Sequence, residues 1–263
     1  MITEADIDCR LAAAEEVILE AGGRALSFFR DRARLVVESK GQQDFVTRAN
    51  RETEERLVAR LKAEFPSDGV LGEEGGPQAE GAATWVIDPI DGTDNFLRGL
   101  PLWCSSIALV VDGDVKLGLI HQPTSSELFK ARRGGGARCN GRRMRTSRIV
   151  DPKSARIMLG FTHKFGGDTR RHVCVIERLL KSCCEYSRYG SGALGLAYLA
   201  DGRFEGYWEA HINSWDVLAG MLMVQEAGGR TSDFLANNGL ANGNEMLAAT
   251  PALWDFLSAA VRP

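Results

Sequence analysis

The chain has 263 residues, 35 acidic against 32 basic for a formal charge of −3, and 44% hydrophobic with 25% charged residues. This balance provides no long-range basic field for a nucleic acid and lies far from disordered or collagenous compositions, so a packed core is expected. The acidic opening Met1-Ile2-Thr3-Glu4-Ala5-Asp6 is unlike a signal peptide and no apolar run approaches the roughly 18 residues of a membrane span, so the expectation is a cytoplasmic protein with no membrane partner.

In chain order, apolar residues recur at helical spacing over 4–29 and again over 50–65, the second run ending at the turn cluster Pro66-Ser67-Asp68-Gly69. Residues 84–87, 105–111, 115–120 and 127–131 read as strands, and Asp112-Gly113 supplies a hairpin turn between the second and third. Gly134-Gly135-Gly136 lacks the Gly-Lys-Ser/Thr and the helix of a phosphate loop, so it reads as part of a hairpin ending at Asn140-Gly141. No element is assigned between that hairpin and a helix over 192–199. Further helices follow over 217–227, closed by Gly228-Gly229, and over 254–261. With no linker or repeat, residues 1–263 read as a single α+β unit whose two subregions meet near residue 145. The six cysteines (Cys9, Cys104, Cys139, Cys174, Cys183, Cys184) form no CxxC pair, which predicts free, buried thiols rather than a zinc cluster or disulfides. The histidines His121, His163, His172 and His211 show no metal-ligand spacing.

Chemistry gathers in Trp85-Val86-Ile87-Asp88-Pro89-Ile90-Asp91-Gly92-Thr93-Asp94-Asn95-Phe96. Pro89 disfavours helix at Asp88, which places that acid at the extended end of a strand, and Asp91 can turn back toward it. Gly92 permits a tight turn, and Thr93 or Asp94 can cap a helix whose free N–H groups suit phosphate. Asp88, Asp91 and Asp94 put three carboxylates in seven residues, and hard divalent cations neutralise such a set. The alternative is a solvated acidic turn with Asp94 as cap.

The segment from Asp88 to Phe96 resembles the first signature of the inositol monophosphatase family, within the lithium-sensitive, magnesium-dependent phosphatase superfamily. Trp215-Asp216-Val217-Leu218-Ala219-Gly220, followed by Glu226-Ala227-Gly228-Gly229, is similar to its second, and Gly72-Glu73-Glu74 resembles its upstream metal-ligand motif. The resemblance implies the layered α/β/α/β/α sandwich shared with fructose-1,6-bisphosphatase. It implies magnesium held by Glu73, Asp88, Asp91, the Ile90 carbonyl and Asp216, with Glu73, Thr93 and Asp91 catalytic. Taken singly, Glu73 and Glu74 also read as loop charges, and Asp216 as an acid at a helix start. The segment Asp44-Phe45-Val46-Thr47-Arg48-Ala49-Asn50 departs from the family's Asp-Leu-Val-Thr-x-x-Asp at its last position. Asn50 has no negative charge and cannot act as a base, so weaker binding of an additional metal is expected.

The same resemblance implies substrate contacts from Gly92, Thr93, Asp216, the turn Gly190-Ser191-Gly192-Ala193 (through Ser191 and Gly192) and Glu209, whose acid suits a polyol or the ammonium of histidinol phosphate. For Glu209 a surface strand acid is the alternative, and Arg188 can meet phosphate or pair with an acid. The implied protein is a homodimeric magnesium-dependent phosphomonoesterase acting on a small phosphorylated alcohol such as inositol 1-phosphate. A nucleic-acid role is expected only through a transcription complex, as in some bacterial relatives, where Arg132-Arg133 and Arg142-Arg143-Met144-Arg145 would serve; such runs are more often solvated.

Overall fold

Alternation along a few strands decides which layers this chain builds. The structure, a computed structural model, describes residues 2–32, 37–41, 44–78, 81–162 and 168–262. Helix α1 (Glu4–Arg30) leads through the hairpin β1 (Val37–Gly41) and β2 (Asp44–Thr47) to α2 (Arg48–Glu64). Then come β3 (Gly69–Gly72), β4 (Gly76–Gln78), β5 (Ala83–Asp91), the short α3 (Thr93–Arg98), β6 (Cys104–Val111), β7 (Asp114–Gln122), β8 (Glu127–Arg132), β9 (Gly136–Cys139) and β10 (Arg142–Arg143). The second half holds β11 (Arg156–Leu159), α4 (Thr169–Lys181), β12 (Glu185–Ser187), α5 (Gly192–Ala200), β13 (Gly206–Ile212) and α6 (Ser214–Glu226). It closes with β14 (Arg230–Thr231), α7 (Gly239–Asn242), β15 (Asn244–Ala249) and α8 (Trp254–Ala260).

Among the described residues, eight strands form one sheet in the order β10-β9-β8-β7-β6-β5-β3-β4, and five form another in the order β12-β11-β13-β15-β14. On one face of the larger sheet, Trp85, Ile87, Ile107 and Leu109 pack on Val17 and Ile18 of α1 and on Leu57 and Leu61 of α2. On its other face Val86, Ala108 and Val110 meet α5 and α6, which also receive Met158, Tyr207 and Met246 from the smaller sheet. The odd partners on that sheet, Ile157, Leu159 and Leu247 with Trp208, turn outward to Val175 and Leu179 of α4 and Leu257 of α8. The result is five layers, helix–sheet–helix–sheet–helix, matching the expected sandwich. Each fully buried Leu or Ile contributes about 1.5–3 kcal/mol, so the middle helical layer, apolar all round, is held by both sheets at once.

Local signals explain most boundaries. Thr3 and Asp6 form a reciprocal capping box at the start of α1, and the Thr3 N–H and hydroxyl, both donating to the Asp6 carboxylate, hold that exposed carboxyl below its usual range. Asp112 and Gly113 both adopt positive φ, 51° and 75°, in a two-residue hairpin, and Asn140 and Gly141 repeat this at 47° and 82°. The expected helices and strands are present with ends moved by up to four residues. The unassigned stretch holds β11, α4 and β12, and β13 and β15 were also unread. The six cysteines are free, but only Cys104, Cys139 and Cys184 are buried; Cys9, Cys174 and Cys183 are exposed, contrary to the expectation of uniformly buried thiols. No described helix is long and apolar enough to cross a membrane.

Candidate metal centre

Strand β5 does not end at Asp88, as the sequence reading has it, but runs to Asp91 through a bulge. Asp88 pairs with Ser106 and Asp91 with Cys104, so three steps on β5 match two on β6. The extra residue resets the alternation, and Asp88 and Asp91 come to share the face toward α5 and α6. Ile90 points the other way, into a cluster with Ala25, Ala49, Phe96 and Trp103. The Ser105 hydroxyl braces the bulge by donating to the Pro89 carbonyl at 2.7 Å.

The turn after β5 depends on glycine. Gly92 has φ 93°, and a Cβ there would lie 2.8 Å from the Leu102 carbonyl oxygen. Gly92 is itself the N-cap of α3, in place of the expected Thr93 or Asp94. The Thr93 hydroxyl donates to the Ile90 carbonyl at 3.0 Å and accepts from Asn50 Nδ2 at 3.2 Å. Asp94 is exposed and pairs with Arg98 at 2.9 Å, outside the acid cluster.

One carboxylate oxygen from each of Asp88, Asp91 and Asp216 lies within 4.8 Å of the others. Glu73, Asp91 and Asp216 line one cavity of about 150 Å³ with Ser191, Gly192 and Glu209. Asp216 is the third residue of α6, and its Oδ2 accepts the Asn213 N–H at 3.2 Å. Asp216 is thus an acid at a helix start that also stands close to Asp88 and Asp91. Asp91 Oδ2 accepts from Ser191 Oγ at 2.6 Å and from the Ala193 N–H at 2.8 Å, at the head of α5. Burial still outweighs these donors and pushes the Asp91 carboxyl up to about 6. Asp88 is pushed well above the carboxylate range by burial first, then by the charges of Glu73, Asp91 and Asp216. Asp216 shifts the same way through burial, then Asp91, Glu73 and Glu209. Hard oxygen donors this close, with Asp88 and Asp216 raised by their carboxylate neighbours, suit a divalent cation, whose charge turns their mutual repulsion into attraction.

The far wall differs. Glu209 is 7% exposed, which overturns its reading as a surface acid. The Tyr207 hydroxyl donates to its Oε2 at 2.7 Å. Burial pushes Glu209 up to about 7, opposed by the Tyr207 bond and by the charge of Arg188. Arg188 lines the cavity and donates to the Phe161 carbonyl at 3.1 Å. His211 also lines the cavity, His121 and His172 do not, and His163 lies outside the described residues.

Sequence reasoning missed the supports. Ser191 before an apolar run reads as an N-cap, and it does accept from the Leu194 N–H at 3.3 Å. Its second bond, to an acid 100 residues away, has no local signal. Tyr207 and Cys104, whose Sγ is 3.9 Å from Asp91 Oδ2, were likewise invisible.

Comparison with known proteins places these features in context. The sequence model of the inositol monophosphatase family matches residues 6–262. The Nus factor SuhB of Xylella fastidiosa is 41% identical over 214 residues, 81% of this chain and 78% of that protein. The inositol-1-monophosphatase of Mesorhizobium japonicum is 38% identical over 235 residues, 86% of this chain and 88% of that one. The crystal structure of extragenic suppressor protein suhB from Bartonella henselae superposes with a TM-score of 0.90 at 32% identity, covering 97% of this chain and 98% of that chain.

Proposed function

The chain belongs to the inositol monophosphatase family and is a phosphomonoesterase, and from that premise we propose that it is a magnesium-dependent hydrolase of a small polyol phosphate such as inositol 1-phosphate. The observation that carries the reading is the approach of Asp88, Asp91 and Asp216 to within 4.8 Å. Glu73, Asp88, Asp91, Asp216 and the Ile90 carbonyl would hold the metal. Magnesium, when bound, supplies Lewis acidity and a lowered pKa for water.

The chain's own groups do the rest. Thr93 Oγ accepts from the Asn50 N–H and donates its O–H to the Ile90 carbonyl, so its remaining lone pair can accept from water. Thr93 and Glu73 then orient the attacking water, with Asp91 beside them. The backbone N–H groups of Gly92 and Thr93 take phosphate oxygens at the head of α3. On the alcohol side stand Asp216, the Ser191-Gly192 turn and Glu209. The Ser191 hydroxyl is already committed to Asp91, which leaves the main chain of that turn to meet substrate. Arg188 favours a polyol over histidinol phosphate, because its charge reaches Glu209 and would repel an ammonium there.

A hydrolysis panel with magnesium titrated tests this. Inositol 1-phosphate should be turned over faster than histidinol phosphate, and equal, feeble rates on every ester would sink a dedicated metabolic role. Asn50→Asp should tighten an additional magnesium, and an unchanged magnesium dependence would reject that account of Asn50. We read the protein as one cytoplasmic unit acting as a lithium-sensitive homodimer. A role in a transcription complex is the second reading, favoured by the name of the 41%-identical relative. Against it, Arg132 bonds Glu4 and Asp8, Arg133 bonds Asp114, and Arg142 bonds Asp201, so much of the basic surface is internally neutralised. Pull-down of transcription factors at moderate salt separates the two.

A further inference from the structure

The buried face of α2 changes character along its length. Leu57 and Leu61 join the outer core, yet one and two turns earlier Asn50, Thr53 and Glu54 are as deeply buried, at 0%, 0% and 4% exposure. A carboxylate at that depth needs donors, and two main-chain groups serve Glu54. Its Oε2 accepts the Glu74 N–H at 2.9 Å and its Oε1 the Gly75 N–H at 2.6 Å. Both amides belong to the turn between β3 and β4 that begins with Glu73, whose own N–H reaches the Ile87 carbonyl at 3.3 Å. Gly72 gives an independent indication. A Cβ there would lie 2.7 Å from the Glu54 carboxyl carbon and Oε1 and 2.9 Å from Oε2, so the residue before Glu73 is bare where the carboxyl enters. One helical turn earlier, Asn50 holds Thr93. A single helix face, at i and i+4, thus fastens the two loops that carry Glu73 and Thr93.

We infer that Glu54 is a positioning residue: by clamping the amides of Glu74 and Gly75 it sets the Glu73 carboxylate against Asp88 and Asp216. This rests on the reading of Glu73 as a metal ligand. Freed of the clamp, the turn keeps the Glu73 N–H bond to the β5 carbonyl and the β3–β4 pairing at its base but loses the two bonds that fix its tip, and the carboxylate loses its fixed place in the donor set. The fold should survive, because Leu57 and Leu61 still seat α2 in the core.

The test uses the full-length protein stripped of metal and titrated with magnesium by calorimetry, together with steady-state kinetics and amide exchange. Glu54→Gln keeps one acceptor and turns an NH₂ toward the other backbone N–H. Magnesium affinity should fall about 10- to 100-fold, as for other groups that orient metal ligands. The kcat should fall with it while KM for the ester stays within about twofold. The Glu74 and Gly75 amides should exchange faster in the metal-free protein. Gly72→Ala, whose added methyl would press first on the Glu54 carboxyl, should give a milder version, and the double variant should be no worse than Glu54→Gln alone. Glu73→Gln runs alongside: magnesium affinity equal to the parent's there overturns the ligand reading and the inference with it. Weakened binding in Glu73→Gln with parental binding and exchange in Glu54→Gln overturns the inference alone. Should Glu54→Gln fail to fold, Gly72→Ala decides, and parental magnesium affinity in that variant overturns the proposal.

Discussion

At the floor of the cleft Asp88, Asp91 and Asp216 face one another, whereas at its wall Glu209 faces a phenol and a guanidinium. Both regions bury carboxyls and both push them above the usual range, but for different reasons. Each floor acid is raised by burial and, for Asp88 and Asp216, by neighbouring carboxylates. The wall acid is raised mainly by burial and eased by Tyr207 and Arg188. The floor therefore carries a repulsion that a cation would relieve, while the wall has its own donor and cation to offset burial. Stability and function pull in opposite directions at the floor, a common situation for sites built of like charges.

The sharpest way to break this contrast is Asp88→Asn. Magnesium-dependent turnover should drop about 10³-fold, roughly 4 kcal/mol of transition-state stabilisation, in a phosphate-release assay. The metal-free protein should meanwhile melt higher, because one repelling charge is gone; a lower melting temperature in chelator would refute the account of the floor.

Next in size is the pH dependence of the metal-free fold. Asp91 at about 6 and Glu209 at about 7 both lie above their unfolded values of 3.8 and 4.5, so the native state binds protons that the unfolded chain releases. Stability from these groups is fully present below the unfolded values and is lost as pH rises from there to about 6 and about 7, a loss on the order of 4 kcal/mol between pH 5 and 8. Calorimetry from pH 5 to 8 should show the decline, shallower in Glu209→Gln at its upper end. Magnesium should flatten the part due to Asp91 and leave the part due to Glu209.

A smaller effect is expected for Glu209→Gln in catalysis. KM for a polyol phosphate should rise about tenfold, roughly 1.4 kcal/mol, with kcat nearly kept, since the group touches the alcohol side only. A matched fall in kcat would place Glu209 with the floor. Smallest of all is Arg142→Ala. Its partner Asp201 keeps Arg203 at 3.0 Å, so the cost should stay below about 1 kcal/mol in urea unfolding and sets the scale for an ion pair outside the cleft.

Much of this contrast was legible in the residues and much was not. Helices α1, α2, α5, α6 and α8, the four central strands and both Gly-containing hairpins follow from periodicity and turn chemistry, because their cues lie within a few residues of one another. The five-stranded sheet was unread because β11 and β12 have four and three residues and pair in parallel with partners far along the chain. Residue pattern leaves Glu209 open between a substrate-facing acid and a surface strand acid because its strand carries mixed residues, and only the packing of two sheets around α5 and α6 shows that it is buried.

The sequence alone determined that Asp88 and Asp91 follow an apolar strand, that a glycine turns the chain after them, and that Asp216 opens an apolar helix. These are short-range facts, set by backbone sterics and hydrophobic period. Only the tertiary structure decided that a bulge brings Asp88 and Asp91 to one face, that Ser191 holds Asp91 and that Glu54 clamps the turn beside Glu73. Such contacts join residues 20 to 100 positions apart, and which faces meet is chosen by burying the whole apolar surface at once, a quantity that no local window contains.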